Sequence, residues 1–195
     1  MKKLLYGALC FYVLSIQLFA LCSVYFTPRD DLKAHLIQLI KEERVSIDCA
    51  VYMFTEKTIA QAIIDAYLRG VKVRVIVDQI SMGEKYGKGL FLRNNGLDVF
   101  VYAAPSFNPF SAPIMHHKFF IFGYNERLQK SLVWTGSYNC TASASKLHQE
   151  NVIITDEPAA IAQYQECFKT LLTLITPGRY AANENEDDWL LVAHG

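Results

Sequence analysis

The chain has 195 residues, of which 52% are hydrophobic and 19% are charged, which excludes a disordered or low-complexity chain. Its 19 basic and 19 acidic residues balance, so it is not a polycation that coats nucleic acid without regard to sequence. Five cysteines form no CxxC pair, so neither a disulfide framework nor a cysteine metal site is expected. The length suits one domain with a substantial core.

Residues 1–26 have the form of a secretory signal peptide or a retained N-terminal membrane anchor. Lys2 and Lys3 precede an apolar run, Leu4 to Phe26, about as long as a membrane-spanning helix requires. Both a cleaved and a retained leader fit this pattern, and a buried core helix is the third alternative. Because the lysines would stay in the cytoplasm, we expect an exported domain, either periplasmic or secreted, or membrane-anchored outside the cytoplasm.

The first half of the remaining chain predicts a strand–helix–strand unit, which favours parallel pairing. Its elements are a helix capped at Asp30 or Asp31, a strand over 45–54, a helix capped at Thr55 and ended by Gly70, and a strand over 71–77.

The second half predicts a hairpin and a long final helix. Its elements are a short helix over 90–93, strands over 97–102, 116–122, 131–135 and 149–155, and a helix capped at Asp156. The sequence therefore predicts one domain over residues 27–176, followed by an acidic tail over 177–195.

Polar residues with chemical potential are concentrated between positions 116 and 150. Residues two apart in a strand face the same way, so His116 and Lys118 project from one face and pair a nucleophile with a cation. Ser137 and Asn139 add short polar groups, and Glu150 follows. This set is chemically suited to a phosphodiester.

The order of these residues resembles that of a known family. His-x-Lys, then Gly-Ser-x-Asn, then a Glu-Asn pair thirteen residues after the Ser is similar to the phospholipase D superfamily, specifically its members with one motif per chain. These include small bacterial endonucleases and mitochondrial cardiolipin hydrolases. The match extends from Phe26 to Ile175 and implies an α/β sandwich, a mixed, largely parallel β-sheet flanked by helices on both faces.

The resemblance also implies a mechanism and a set of roles. His116 would attack phosphorus and form a phosphohistidine, Lys118 and Asn139 would hold the non-bridging oxygens, and Ser137 would hydrogen-bond nearby. Glu150 would accept a hydrogen bond from the histidine ring. Cleavage needs a second histidine as acid, so two copies would form a homodimer with one composite site and would need no metal or other cofactor.

One position departs from the family pattern. The family has an Asp five residues after the Lys, chiefly an ion-pairing structural group, and this chain has Gly123. Asn125 or Glu126 could replace it. A catalytically inactive, membrane-anchored binding protein is the alternative that follows from its loss.

The substrate is open between two classes. We favour an endonuclease that cleaves DNA or RNA, and phospholipid of the phosphatidylcholine or cardiolipin type is the alternative. A metal site built from His116, His117 and His148 is a rival interpretation, but adjacent strand residues face opposite ways.

Overall fold

The computed structural model describes residues 20–83, 85–103 and 113–175. In chain order its elements are β1 (Cys22–Phe26), α1 (Leu32–Glu42), β2 (Ser46–Val51), α2 (Lys57–Leu68), β3 (Lys72–Asp78), a short 3₁₀ helix (Gln79–Met82), α3 (Gly89–Asn94), β4 (Asp98–Tyr102), β5 (Lys118–Asn125), β6 (Lys130–Gly136), α4 (Ala142–Lys146), β7 (Asn151–Thr155) and α5 (Pro158–Leu174).

The helix starts follow the predicted caps closely. Asp31 caps α1 by accepting a hydrogen bond from the Ala34 N–H at 3.0 Å, as predicted. The cap of α2 is Glu56 rather than Thr55, one residue later than predicted. Glu157 rather than Asp156 directly precedes α5, and the Asp156 carboxylate pairs with Lys130.

Across the described residues, seven strands form one mixed sheet in the order β1-β7-β6-β5-β2-β3-β4. The expected parallel pairing holds for β2 with β3 and for β3 with β4, whose connections contain helices. The other four pairings are antiparallel: β5 with β6, which is the predicted hairpin, β5 with β2, β6 with β7, and β7 with β1. The sheet is therefore mixed, and its parallel part is confined to β2, β3 and β4.

Helices cover both faces of the sheet, as predicted. The larger core lies under α1 and α2, where Leu36, Ile40 and Ile63 are completely buried. The smaller core lies under α5, where Phe168 packs with Phe119 of β5. Burial of these apolar faces on both sides holds the sheet in place.

Strand β1 corrects the predicted leader. Residues 22–26, assigned to the leader from hydropathy, pair with β7 in register from Cys22 with Thr155 to Phe26 with Asn151. A leader must therefore end before residue 22, and the predicted 1–26 boundary is too long. Residues 1–19 and the predicted acidic tail lie outside the described residues. Among the described residues, no helix is both long and apolar enough to cross a membrane.

The register brings the ends of several strands together at one end of the sheet, which we call the site end. Val51 at the end of β2 lies beside Lys118 at the start of β5, and Phe26 at the end of β1 lies beside Asn151 at the start of β7. Asp78 ends β3 at the same end. Loops at the site end therefore carry side chains from distant parts of the sequence into one region.

Candidate active site

His116 and Lys118 contact the same aromatic ring at the site end. The ring centroid of Tyr52 lies 4.7 Å from that of His116 and 5.3 Å from Lys118 Nζ. Lys118 is buried and donates to the carbonyl oxygen of His116 at 2.7 Å, whereas the His116 side chain is exposed. The two residues share a side, as alternation predicted, although β5 begins at Lys118 and not at His116.

His117 points to the opposite face of the sheet. Its ring packs edge-on against Phe119 at 5.7 Å, and its Nε2 lies 3.9 Å from Cys167 Sγ of α5. Burial, together with the charges of Lys118 and His116, lowers the pKa of His117. The rival metal site of His116, His117 and His148 is therefore not assembled. Among the described residues there is also no group of three or more His, Cys, Asp or Glu side chains that could hold a metal ion.

Ser137 and Glu150 form a hydrogen-bonded pair at the ends of neighbouring strands, since Ser137 follows β6 and Glu150 precedes β7. The Ser137 hydroxyl donates to the buried Glu150 carboxylate and accepts from the Asn151 N–H at 3.1 Å. The Glu150 N–H donates to Thr27 Oγ1 at 2.7 Å. These bonds fix the carboxylate in place, because β6 and β7 are adjacent and β1 lies beside β7.

Glu150 accepts no hydrogen bond from His116 among the described residues of one chain, so the predicted contact is not made within a single copy. Its carboxylate is bound to Ser137, and His148 Nδ1 lies 3.6 Å from its other oxygen. The physical reason is strand order: Ser137 follows β6 and Glu150 precedes the adjacent strand β7, whereas His116 precedes β5, which is separated from β7 by β6. The charge of Glu150 acts on Lys118 instead, whose pKa is lowered by burial and raised by Glu150.

Asn139 is held against the end of β2. Its Oδ1 accepts from the Met53 N–H at 3.2 Å, which leaves the amide nitrogen as a donor. The N–H groups of Thr55 and Glu56 both donate to the carbonyl oxygen of Cys140, the residue after Asn139. The loop that carries Asn139 is therefore tied to the loop that carries Tyr52.

Two residues of this region were missed in the sequence. Neither Tyr52 nor Asp78, which directly follows the strand predicted over 71–77, was named as a site residue. Asp78 is buried and accepts from the N–H groups of Met115 at 2.9 Å and Ile80 at 3.1 Å, so it fixes the backbone directly before His116. Burial raises the pKa of Asp78, while these bonds and the His116 charge lower it. The available signal was position, because the carboxyl ends of parallel strands meet at one end of a sheet.

A buried carboxylate lies beside Gly123, where the family has its Asp. A Cβ at Gly123 would stand 2.4 Å from Ser46 Oγ and 3.2 Å from Val45 Cβ, so no side chain fits there without movement. Glu43 is completely buried and accepts from the N–H groups of Val45 at 2.7 Å, Ser46 at 3.0 Å and Tyr124 at 2.8 Å. Glu43 thus supplies a carboxylate from a different segment to the start of β2 and the end of β5.

Neither residue expected to replace the missing Asp does so. Asn125 holds the hairpin turn, since its Oδ1 accepts from the Leu128 N–H at 3.0 Å. Glu126 is exposed and pairs with Arg44. Asn125 thus holds the turn and Glu126 pairs with a residue before β2, and the carboxylate of Glu43 remains the one beside Gly123.

Comparisons with known proteins agree with this fold and motif. Residues 36–172 match the family described as "Cardiolipin synthase, PLD-like domain". A phospholipase D of Rickettsia prowazekii (strain Madrid E) is 32% identical over 142 residues, which cover 73% of this chain and 63% of that protein. A mitochondrial cardiolipin hydrolase of Xenopus tropicalis is 30% identical over 159 residues, which cover 82% of this chain and 70% of the other.

Two solved structures share the fold. NucT from Helicobacter pylori has a TM-score of 0.71 at 24% identity, covering 81% of this chain and 99% of that one. Nuc from Salmonella typhimurium, a phospholipase D family member, has a TM-score of 0.68 at 21% identity, covering 81% of this chain and 97% of that one. With a family match over residues 36–172 and relatives at 30% identity or above, the chain belongs to the phospholipase D superfamily.

Proposed function

We propose that the protein is a metal-independent phosphodiesterase that works through a phosphohistidine and cleaves nucleic acid, DNA or RNA. The observation that carries this proposal is the placement of an exposed imidazole and a buried ammonium on one ring, Tyr52. His116 supplies the nucleophile, and Lys118 supplies positive charge for the phosphoryl oxygens. Asn139 adds an amide donor from the adjoining loop.

The reaction needs two imidazoles on opposite sides of phosphorus. A neutral His116 attacks phosphorus, the P–O bond to the leaving group breaks, and an imidazolium protonates the departing oxygen. That second imidazole then takes a proton from water as the water attacks phosphorus and the P–N bond breaks. Both histidines return to their starting states, and no other reactant is consumed.

A second copy of the chain is the source that we propose for the second imidazole. Among the described residues of one chain, His117 faces α5 and His148 is held near Glu150, so neither can stand opposite His116. Glu150 makes no hydrogen bond to His116 of its own chain, so the ring of His116 is open to a group of the other copy. A homodimer with one composite site meets both requirements.

The surroundings of the site support a polymeric, soluble substrate. Tyr86 is largely exposed, and Lys85 Nζ lies 5.1 Å from the centroid of its ring. The loop that carries both residues is joined to the segment after β2, because the Lys88 N–H donates a hydrogen bond to the Phe54 carbonyl oxygen. A cation beside an exposed ring suits a phosphate with its base. Moreover, β1 runs toward the site end, so a retained anchor would join the opposite end of the domain and hold the site away from its own bilayer.

Phospholipid hydrolysis is the second candidate, and one observation favours it. Three exposed apolar side chains lie near the site residues in the chain: Ile80 and Ile114, each 52% exposed, and Leu147, 77% exposed. Exposed apolar groups around a cleft suit contact with a lipid surface. The two relatives above named phospholipase D and cardiolipin hydrolase fit this candidate.

One experiment separates these candidates. The full chain is incubated with EDTA and plasmid DNA, single-stranded RNA, or vesicles of phosphatidylcholine or cardiolipin, with His116→Ala as the control. We expect nucleic acid cleavage that is absent from the control. Products from lipid alone would select the second candidate, and loss of all His116-dependent products in EDTA would contradict the metal-independent mechanism.

Mixing tests the composite site. When unfolded wild-type and His116→Ala chains are refolded together in equal amounts, only dimers of two wild-type chains keep both imidazoles. Activity should then fall to about one quarter of the all-wild-type value, because random pairing gives that fraction of such dimers. A fall to about one half would show that each chain acts alone.

A further inference from the structure

A polar groove opens beside Glu150, and the proposed reaction does not use it. This groove, which we call the flanking groove, lies between residues 27–31, after β1, and residues 145–149, before β7, and encloses about 460 Å³. Thr27 joins its two walls, since its hydroxyl donates to the His148 carbonyl oxygen at 2.7 Å and accepts from the Glu150 N–H at 2.7 Å. The groove is thus a fixed continuation of the site.

The acidic side chains of the flanking groove are already occupied. Asp30 accepts from the Phe26 N–H at 2.8 Å and from Arg29 Nη2 at 2.9 Å, and these hydrogen bonds, that from Arg29 foremost, lower its pKa. Asp31 caps α1 through the Ala34 N–H. Three basic residues, Arg29, Lys33 and Lys146, line the groove against these two acidic ones, so its lining keeps a net charge of +1.

Two cations of the groove are not occupied in this way. Lys33 lines one wall and Lys146 the other, and in the part of the chain that the structure describes neither ammonium makes an ion pair or a side-chain hydrogen bond. Lys146 lies four residues before Glu150, whose own side chain acts on Lys118. Within the described residues, the groove therefore has one ammonium without an ion pair on each wall.

We propose that the flanking groove binds a backbone phosphate of a nucleic acid strand, next to the phosphodiester that His116 attacks. The inference deepens the proposed function and rests on it. Lys33 and Lys146 contact this second phosphate from opposite walls, and the groove orients the strand across Lys118. A polymer carries a second phosphate at this position and a simple phosphodiester does not, so the groove selects polymers.

The test measures binding without turnover. Fluorescence anisotropy of a labelled single-stranded oligonucleotide is recorded against salt concentration for full-length His116→Ala, alone and combined with Lys33→Ala and Lys146→Ala. Losing two phosphate contacts should lower the magnitude of the slope of log K against log salt by about 1.4 and weaken binding about 25-fold at 0.1 M salt. The matched control combines His116→Ala with Lys41→Ala and Lys72→Ala, which remove the same charge at the opposite end of the sheet.

Each outcome decides the proposal. A smaller slope for the groove variant, with the control unchanged, supports it. The proposal is overturned if the slope of the groove variant is unchanged, or if the slope of the control drops equally. It is also overturned if the groove variant binds the oligonucleotide normally but loses binding to phosphatidylglycerol vesicles. Since binding is read without cleavage, failure of the groove is separable from an absence of His116-dependent cleavage in the wild type.

Discussion

Removing the Glu43 carboxylate should destabilise the domain strongly, although Glu43 lies at the end of the sheet away from the site. The side chain is completely buried and accepts from three backbone N–H groups, those of Val45, Ser46 and Tyr124, at 2.7–3.0 Å. Glu43→Ala leaves these donors without their acceptor and opens a cavity between β2 and β5.

The magnitude follows from the number of donors. A buried N–H that loses its partner costs about 1–3 kcal/mol, so three of them set a range of about 3–9 kcal/mol. Val45 and Tyr124 are exposed residues, so water can reach part of this region and the lower end applies. We expect about 3 kcal/mol, which is a large share of the about 5–15 kcal/mol typical of a folded domain. The corresponding fall in Tm is about 6–12 °C for a domain of this size.

Urea unfolding followed by circular dichroism measures this change. Glu126→Ala is the matched control, because it removes a carboxylate of the same region whose ion pair with Arg44 is exposed and should contribute at most about 1 kcal/mol. Equal unfolding midpoints for the two variants would refute the role of Glu43.

A double-mutant cycle tests whether Glu43 does the work of the missing Asp at position 123. Gly123→Asp alone should destabilise, since its Cβ would meet Ser46 Oγ at 2.4 Å and its charge would lie near that of Glu43. In the Glu43→Ala background the same substitution should be less harmful or should restore stability. Additive effects would show that the two positions are independent.

Three further predictions concern the site. Glu150→Gln should move the alkaline limb of the pH–rate profile to lower pH, because burial lowers the pKa of Lys118 and the Glu150 charge that opposes this is removed; an unmoved limb would contradict that coupling. His117→Asn should keep activity within about twofold, since His117 faces α5, whereas His116→Ala should lose at least about a hundredfold in kcat. Dialysis against EDTA should leave the rate unchanged, because Lys118 supplies the positive charge, and recovery on adding back a divalent metal would argue otherwise.

Local patterns predicted what depends on local geometry. The alternation of strand residues predicted that His116 and Lys118 face one side, and they share Tyr52. Within one chain Glu150 meets Ser137 and not His116, because the order of β5, β6 and β7 in the sheet decides which side chain it meets and periodicity does not encode that order. Hydropathy also placed residues 22–26 in the leader, since an apolar edge strand and the end of a leader look alike in composition.

The role of Glu43 could not be read from the sequence for a different reason. Its acceptor contacts join Glu43 to Tyr124, residues 81 positions apart, and they exist only because β5 lies against β2. The nearby residues Asn125 and Glu126 bind elsewhere, Asn125 within the hairpin turn and Glu126 to Arg44 before β2.

This placement bears on whether the loss at Gly123 argues against catalysis. Gly123 lies five residues along β5 from Lys118, about 17 Å away at the rise of an extended strand. A carboxylate there acts on the stability and register of β2 and β5, and only through them on Lys118 beside Val51. Glu43 already supplies a buried carboxylate to those strands. The replacement of the family's Asp by Glu43 therefore removes the main reason for regarding the chain as an inactive binding protein. If Glu43→Ala lowers stability while the remaining folded protein keeps its kcat, the family's carboxylate has changed position here without any change in the chemistry at His116.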